Sequence, residues 1–476
     1  MQITSFALFT LVAVVFAIIY TCNRLIKDNS KNIFVSKSVL LVASYLFVLY
    51  ADVRFALILF VMTCSTWYFA PKKKWGFIGI IVPLLALSYF KYTNFFIDSF
   101  AGIFHLDHKS LSIVLPIGIS FYTFSAISYI VDVRRGKVLP RGLMDVALYL
   151  SFFPKLVSGP IQRSSDFFEQ ANTRLNIGWQ SFSCGVQIFI FGLFKKIVLA
   201  DRLSVFVDQV YATPAAFGST TILLAVIAYS LQIYLDFSGY SDMAIGIARI
   251  LGFNLPRNFN LPYLSHNVTE LWKRWHISLS SWLLDYLYIS LGGNRKGKAR
   301  TYINLILTMI LGGLWHGANW TYIIWGLLHG VALAVHKAWM TLTGSPNKKA
   351  GPLPTFLSII VTFMFTTFCW IFFRAESISD AFFIISRIVS FESGLEQPYM
   401  WFFIAATLVL VASFTAYAVS KKNKLVSVKG NMSAVGAFYP ILDLGKFWHL
   451  VIFFVEIGLV LCLAYTGGSP FIYGQY

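Results

Sequence analysis

Long apolar runs separated by short basic connections limit this chain to one kind of fold. Ile3–Tyr20, Ile33–Tyr50, Val53–Ala70, Trp75–Phe90 and Ile113–Val131 each approach the roughly 20 residues a helix needs to cross a bilayer. Hydrocarbon offers the backbone no water, so such runs must be helices that satisfy their own hydrogen bonds. The connections alternate in charge. Arg24, Lys27 and Lys31 follow the first run, Lys72 to Lys74 the third, and Arg134, Arg135, Lys137 and Arg141 the fifth. The connections near Asp52 and at Lys91–Leu111 are not basic. One orientation satisfies all five connections, with the basic ones cytoplasmic and the N-terminus outside. The first run has no Lys or Arg before it and no small-residue cleavage pattern after it, so it reads as a retained helix and not a signal peptide.

Composition agrees. The chain is 57% hydrophobic and 12% charged, with a mean hydropathy of +0.70. A soluble domain carries about twice that charged fraction. The net charge of +18 would suit a nucleic-acid partner, but the basic residues sit between apolar runs, which makes anionic lipid head groups the expected counter-charge. Cys22, Cys64, Cys184, Cys369 and Cys462 have no framework spacing and read as small packing residues. The expected fold is an all-α polytopic transmembrane bundle of about 11–13 spans with re-entrant or interfacial helices.

Beyond Arg141 the regularity fails. Pro154 and Pro160 prevent one continuous helix through SFFPKLVSGPIQR. Leu148–Ile161 reads as re-entrant or interfacial, with a surface loop as the alternative. Ser181–Leu199 is expected to end at Lys195, Lys196 and Arg202. Thr220–Leu235 runs into a crowd of Asp236, Ser238, Ser241 and Asp242, read as caps of a helix beginning near Ser241 or as structural pairs. LGFNLPRNFNLPYLSHN is turn-rich. Asn267 then opens a helix, with Glu270 completing a near capping box. Trp272, Trp275, His276, Leu279 and Leu283 share one face of it, while Lys273 and Arg274 point to head groups. LGGNRKGKAR is a basic cytoplasmic turn.

Tyr302–Leu314 and Trp320–Met340 follow, with His316 at the break among Gly312, Gly313 and Gly317. His329 and His336 lie seven residues apart on the second span. Phe356–Phe373, Met400–Ser420 and Phe447–Tyr465 complete the spans, with a shorter helix at Ala381–Ile388. Lys421, Lys422 and Lys424 mark a further cytoplasmic loop, and the final SPFIYGQY suits the interface.

A polar ring at membrane depth is costly unless it faces a cavity or a partner, so His276, His316 and His329 are functional candidates. A neutral imidazole, with an unperturbed pKa of about 6.5, can take the proton of a hydroxyl that attacks an acyl carbon. No GxSxG or Ser-His-Asp spacing offers a protein nucleophile. No HExxH or matching carboxylate offers a metal set, and no metal is expected.

GGLWHGANWTYIIWGLLHG, with WKRWHISLSSWLLDYLYISLGGNR before it, resembles the membrane-bound O-acyltransferase superfamily. FFPKLVSGPIQR, YLDFSGYSDMAIGIARILGF and NFNLPYLS are similar to the branch of bacterial alginate O-acetylases and peptidoglycan O-acetyltransferases. The likeness covers most of the chain, most strongly Leu148 to His336. The carboxyl end departs from it, reading FIYGQY where the family often has a FIYFQF-like ending. The resemblance implies one transmembrane O-acyltransferase domain over residues 1–476, with its motif-bearing core at 148–340, and a ring of helices around a funnel. It implies His316 as the active-site histidine and His276 as the second catalytic position. Trp315, Trp275, Asn319 and His329 become candidates for lining the substrate tunnel. The implied donor is cytosolic acetyl-CoA or another acyl thioester, with no bound cofactor. The implied acceptor is a polysaccharide outside the cytoplasm, usually served by an exported or membrane-tethered partner acetyltransferase. D-Alanyl transfer to teichoic acid from a carrier-protein thioester is the alternative within the class. A polysaccharide or lipid transporter and a non-catalytic scaffold are the alternatives outside it.

Overall fold

A computed structural model of the chain describes residues 5–107, 109–344, 351–397, 399, 401–404, 406–408, 442–465 and 467. Among these residues the structure is helical, and the only β pairing is a single bridge between Phe217 and Leu395. Among the described residues, seven helices are long and apolar enough to cross a membrane: Phe6–Leu25, Asn29–Ala51, Gly76–Phe104, Trp179–Ala212, Ser219–Ile250, Trp320–Thr343 and Pro352–Arg374. Val53–Phe69 and Phe447–Leu463 are shorter apolar helices. The protein is a multi-pass membrane protein.

The residues form two compact units. One holds the chain up to Phe191 together with Tyr240–Pro256; the other holds Gly192–Gly239 and most of the chain from Arg257. In the first unit, large apolar side chains face out and small polar ones face in. Leu57 and Leu85 are 63% exposed, whereas Ser44 and Thr63 are fully covered. A bilayer favours this inversion, because lipid solvates leucine and small residues let helices approach closely. The buried hydroxyls donate within their own helices, Ser44 to Leu40 and Thr63 to Leu59.

Several expected boundaries shift for physical reasons. The helix from Gly76 does not stop at Phe90; it passes through a π turn at Ser88–Tyr92 and runs on to Phe104, taking in part of the expected Lys91–Leu111 connection. The next helix begins at Ile119, not Ile113. Gly118 there adopts φ +74°, and a Cβ at that position would overlap the Leu156 carbonyl oxygen. Lys195, Lys196 and Arg202 do not end a helix; a π turn at Phe194–Ala200 carries Trp179–Leu193 into Asp201–Ala212. No helix begins near Ser241, since Ser219–Ile250 is continuous.

Leu148–Ile161 is not a surface loop. The helix Leu143–Ser151 ends at Phe152, Phe153–Leu156 adds one turn, and nearly every residue up to Ile161 is buried. The amide that Phe153 frees at the break donates to Ser44 Oγ. Most of the expected Met400–Ser420 helix, the loop lysines Lys421, Lys422 and Lys424, and SPFIYGQY lie outside the described residues.

Candidate active site

All three candidate histidines lie in the second unit. Asn267 caps the helix Val268–Arg274, its side chain accepting from the Glu270 amide at 2.9 Å. The Glu270 carboxylate accepts from the His266 amide and pairs with Arg274 at 2.7 Å. Arg274 also donates to the Asn260 carbonyl, so it is bound to protein rather than directed to head groups.

The helix then stops at Arg274, well short of the shared face expected to run on to Leu283. Trp275 is extended, and His276 takes the left-handed conformation at φ +43°, ψ +53°. A non-glycine residue held there costs on the order of 1–2 kcal/mol. Two backbone bonds fix the turn from outside, Asn260 N to Arg274 O at 2.9 Å and Ile277 N to Asn258 O at 2.8 Å. His276 thus sits in a strained turn between helices, not within one, and such strain gathers at functional sites. The turn points the ring inward, where it is fully buried and meets Phe237 edge-on at 4.6 Å.

His316 is the last residue of the helix Lys298–His316. Gly317 is extended, and Asn319 caps the following helix Trp320–Thr343 by accepting from the Thr321 amide. The Asn319 amide group donates to the Glu376 carbonyl at 2.8 Å. The Asn319 end of the break is therefore pinned twice. The two helices pack tightly because Gly326 meets the Met309 carbonyl, where any Cβ would overlap it. His316 is 3% exposed.

The rings form a continuous row. Trp315 lies 6.4 Å from His276 and 5.0 Å from His316. Trp325 lies 5.2 Å from His316 and 5.0 Å from His329. Phe373 closes another side of His316, and Trp272 and Phe365 close His329. The structure thus brings His276, Trp315, His316 and His329 together. Trp275 belongs to a neighbouring aromatic group with Phe259, Tyr263 and Trp370. Asn319 serves the helix start. His336 stands apart from the row, its Nδ1 2.9 Å from the Thr269 hydroxyl.

The sequence reading missed one buried charge group. Lys196 lies 2.7 Å from both Asp201 and Asp236, and all three side chains are buried. Asp236 is thus a structural partner, as one of its two readings had it, and Phe237 beside it touches His276. The signal was present as acids near Lys196, but only the π turn brings residues five apart onto one side. Among the described residues no three His, Cys, Asp or Glu side chains gather as metal ligands would.

An imidazole row of this kind can accept and return protons away from bulk water, the need of acyl transfer from a thioester to a hydroxyl. The profile of the MBOAT, membrane-bound O-acyltransferase family, matches residues 4–376. The chain is 40% identical over 470 residues to the "Probable alginate O-acetylase AlgI" of Pseudomonas putida, covering 92% of this chain and 94% of that protein. It is 38% identical to the peptidoglycan O-acetyltransferase of Helicobacter pylori over 67% of this chain and 65% of that one. It is 32% identical to the teichoic acid D-alanyltransferase of Streptococcus thermophilus over 52% of this chain and 65% of that one. With its profile matched over most of its length, this chain belongs to the membrane-bound O-acyltransferase family and is an acyltransferase.

Proposed function

We propose that the enzyme moves an acetyl group from acetyl-CoA on the cytosolic side to hydroxyls of a polysaccharide outside the cytoplasmic membrane, directly or through an exported partner acetyltransferase. The orientation has the N-terminus outside, from the alternation of basic connections. His316 acts as general base. It takes the acceptor's hydroxyl proton as the oxygen attacks the thioester carbonyl; the carbon–sulfur bond breaks, and the imidazolium returns the proton to the departing thiolate. His276, across Trp315, is the second catalytic imidazole and stabilises the charge that develops on the carbonyl oxygen. The observation that carries this reading is the buried His276–Trp315–His316 row, pinned at both backbone breaks.

The ring is nearly enclosed, so acyl transfer requires Trp315, Trp325 or Phe373 to move aside. That motion joins the donor and acceptor sides.

The acetyl assignment draws on the relatives that share most of the chain, named for alginate and peptidoglycan acetylation. D-Alanyl transfer is the second reading, favoured by the teichoic acid relative over a smaller share. Purified enzyme supplied in parallel with labelled acetyl-CoA and with a D-alanyl carrier protein separates them. Label leaving acetyl-CoA for the polysaccharide supports the proposal, and transfer from the carrier alone contradicts it.

A further inference from the structure

A short segment outside both neighbouring helices brackets the strained turn at His276. Asn258, Phe259 and Asn260 belong to the second unit, as the turn does. On one side of the turn the Asn260 amide donates to the Arg274 carbonyl at 2.9 Å; on the other the Ile277 amide donates to the Asn258 carbonyl at 2.8 Å. Between these bonds Phe259 meets Trp275 edge-on at 5.0 Å and Phe237 edge-on at 5.2 Å. Phe237 is the ring that lies against His276.

The bracket answers two local needs. The helix Ile277–Trp282 starts from His276, and the first amides of a helix have no partner within it. The His276 ring, turned onto Phe237, makes no cap bond to that helix. Asn258 supplies acceptors from outside instead. Its carbonyl takes the Ile277 amide, and its side-chain oxygen takes the Ser278 hydroxyl at 2.6 Å. Asn258 is 1% exposed and Ser278 5%, so water does not compete for this bond. The left-handed backbone of His276 is unfavourable for a residue with a Cβ and persists only where its surroundings over-determine it. Bonds from Asn258 to the two residues that follow His276 do so. A substitution at 258 keeps the main-chain bond and removes the one to Ser278. The turn is then freer to relax toward ordinary backbone angles, and the imidazole moves with it.

We propose that Asn258 is a positioning residue for acyl transfer, setting the direction of the His276 imidazole through its hydrogen bond with Ser278. It acts through His276 and not on the substrate. The inference rests on the reading of His276 as the second catalytic imidazole. A catalytic group misplaced by about 1 Å can lose on the order of 10²-fold in rate, so one hydrogen bond behind the ring matters to the reaction.

A double-mutant cycle on the purified full-length enzyme in lipid tests this, with labelled acetyl-CoA, a polysaccharide acceptor and rates counted per folded molecule. Asn258→Ala should lower kcat about 10- to 100-fold. KM for acetyl-CoA should change by less than about two-fold, since substrate binding is untouched. His276→Ala should lower kcat about 10²- to 10³-fold. Adding Asn258→Ala to His276→Ala should cost less than about a further two-fold, because the ring it positions is gone. An equal loss from Asn258→Ala with and without His276 marks a merely structural role and overturns the proposal. Wild-type kcat in Asn258→Ala beside an impaired His276→Ala also overturns it, and leaves the reading of His276 standing. Wild-type kcat in His276→Ala is a different failure: it overturns that reading and the proposal with it. Should Asn258→Ala not fold, Ser278→Ala removes the same hydrogen bond and takes its place in the cycle, with the same expected and overturning results.

Discussion

The protein encloses basic side chains among aromatic rings in two places, and the two are built differently. His316 has rings on three sides and is held by a capped break between two helices that touch through Gly326. Lys155 has rings behind it and a cavity beside it. The first arrangement fixes a ring in place and leaves access to the motion of its neighbours. The second leaves beside its amine a void with room for about one water. Pinned backbone and close packing suit a group whose position decides a reaction.

Disturbing the tight region should therefore cost more than disturbing polar detail around it. Gly326→Val is expected to have the largest structural effect. Its side chain would be driven into the Met309 carbonyl, with no flexible group to yield. Loss of monodisperse protein on size exclusion is the expected outcome; a well-folded variant with an unchanged melting temperature would show that the two helices are not held by this contact.

Next in size is Lys196→Met, which leaves Asp201 and Asp236 buried without their cation. Removing one partner of such a group costs about 3–5 kcal/mol, measurable by chemical or thermal unfolding in detergent. Because Phe237 follows Asp236 and meets His276, transfer should fall in the folded fraction as well. An unaltered rate per folded molecule would detach the charge group from the histidine row.

His329→Phe ranks below it. Neither nitrogen of His329 has a hydrogen-bond partner among the described residues, and the ring lies beyond Trp325 from His316. Transfer should fall by no more than about ten-fold, against the roughly 10²- to 10⁴-fold attributable to a general base. Inactivity equal to that of a His316 variant would reverse the ranking of the two histidines. Asn319→Ala should be smallest, a lost helix cap worth about 1 kcal/mol, read as a small drop in melting temperature. No drop would mean that neither the cap nor the Asn319–Glu376 contact holds the break.

Much of this was legible in the chain. Apolar runs and basic connections announced a helical membrane protein, because a bilayer imposes a length and a charge rule on every span. Asn267 and its helix start were readable from local hydrogen-bonding chemistry. The turn at His276 was not. Residues 272–283 repeat apolar positions as a helix would, and only the backbone pairing with Asn258 and Asn260 breaks the helix there. The π turns at Ser88–Tyr92 and Phe194–Ala200 were also hidden, since basic residues within them mimic a span's end. Lys155 carried no signal in the chain, and only the fold places it against Tyr149 and Phe167.

The most direct test of the central claim uses the purified enzyme reconstituted in lipid with labelled acetyl-CoA and a polysaccharide acceptor, comparing wild type with His316→Ala at equal amounts of folded protein. The proposed chemistry predicts a fall in label transferred of about 10²- to 10⁴-fold, with the melting temperature nearly unchanged. Transfer at the wild-type rate from a folded His316→Ala enzyme would contradict it.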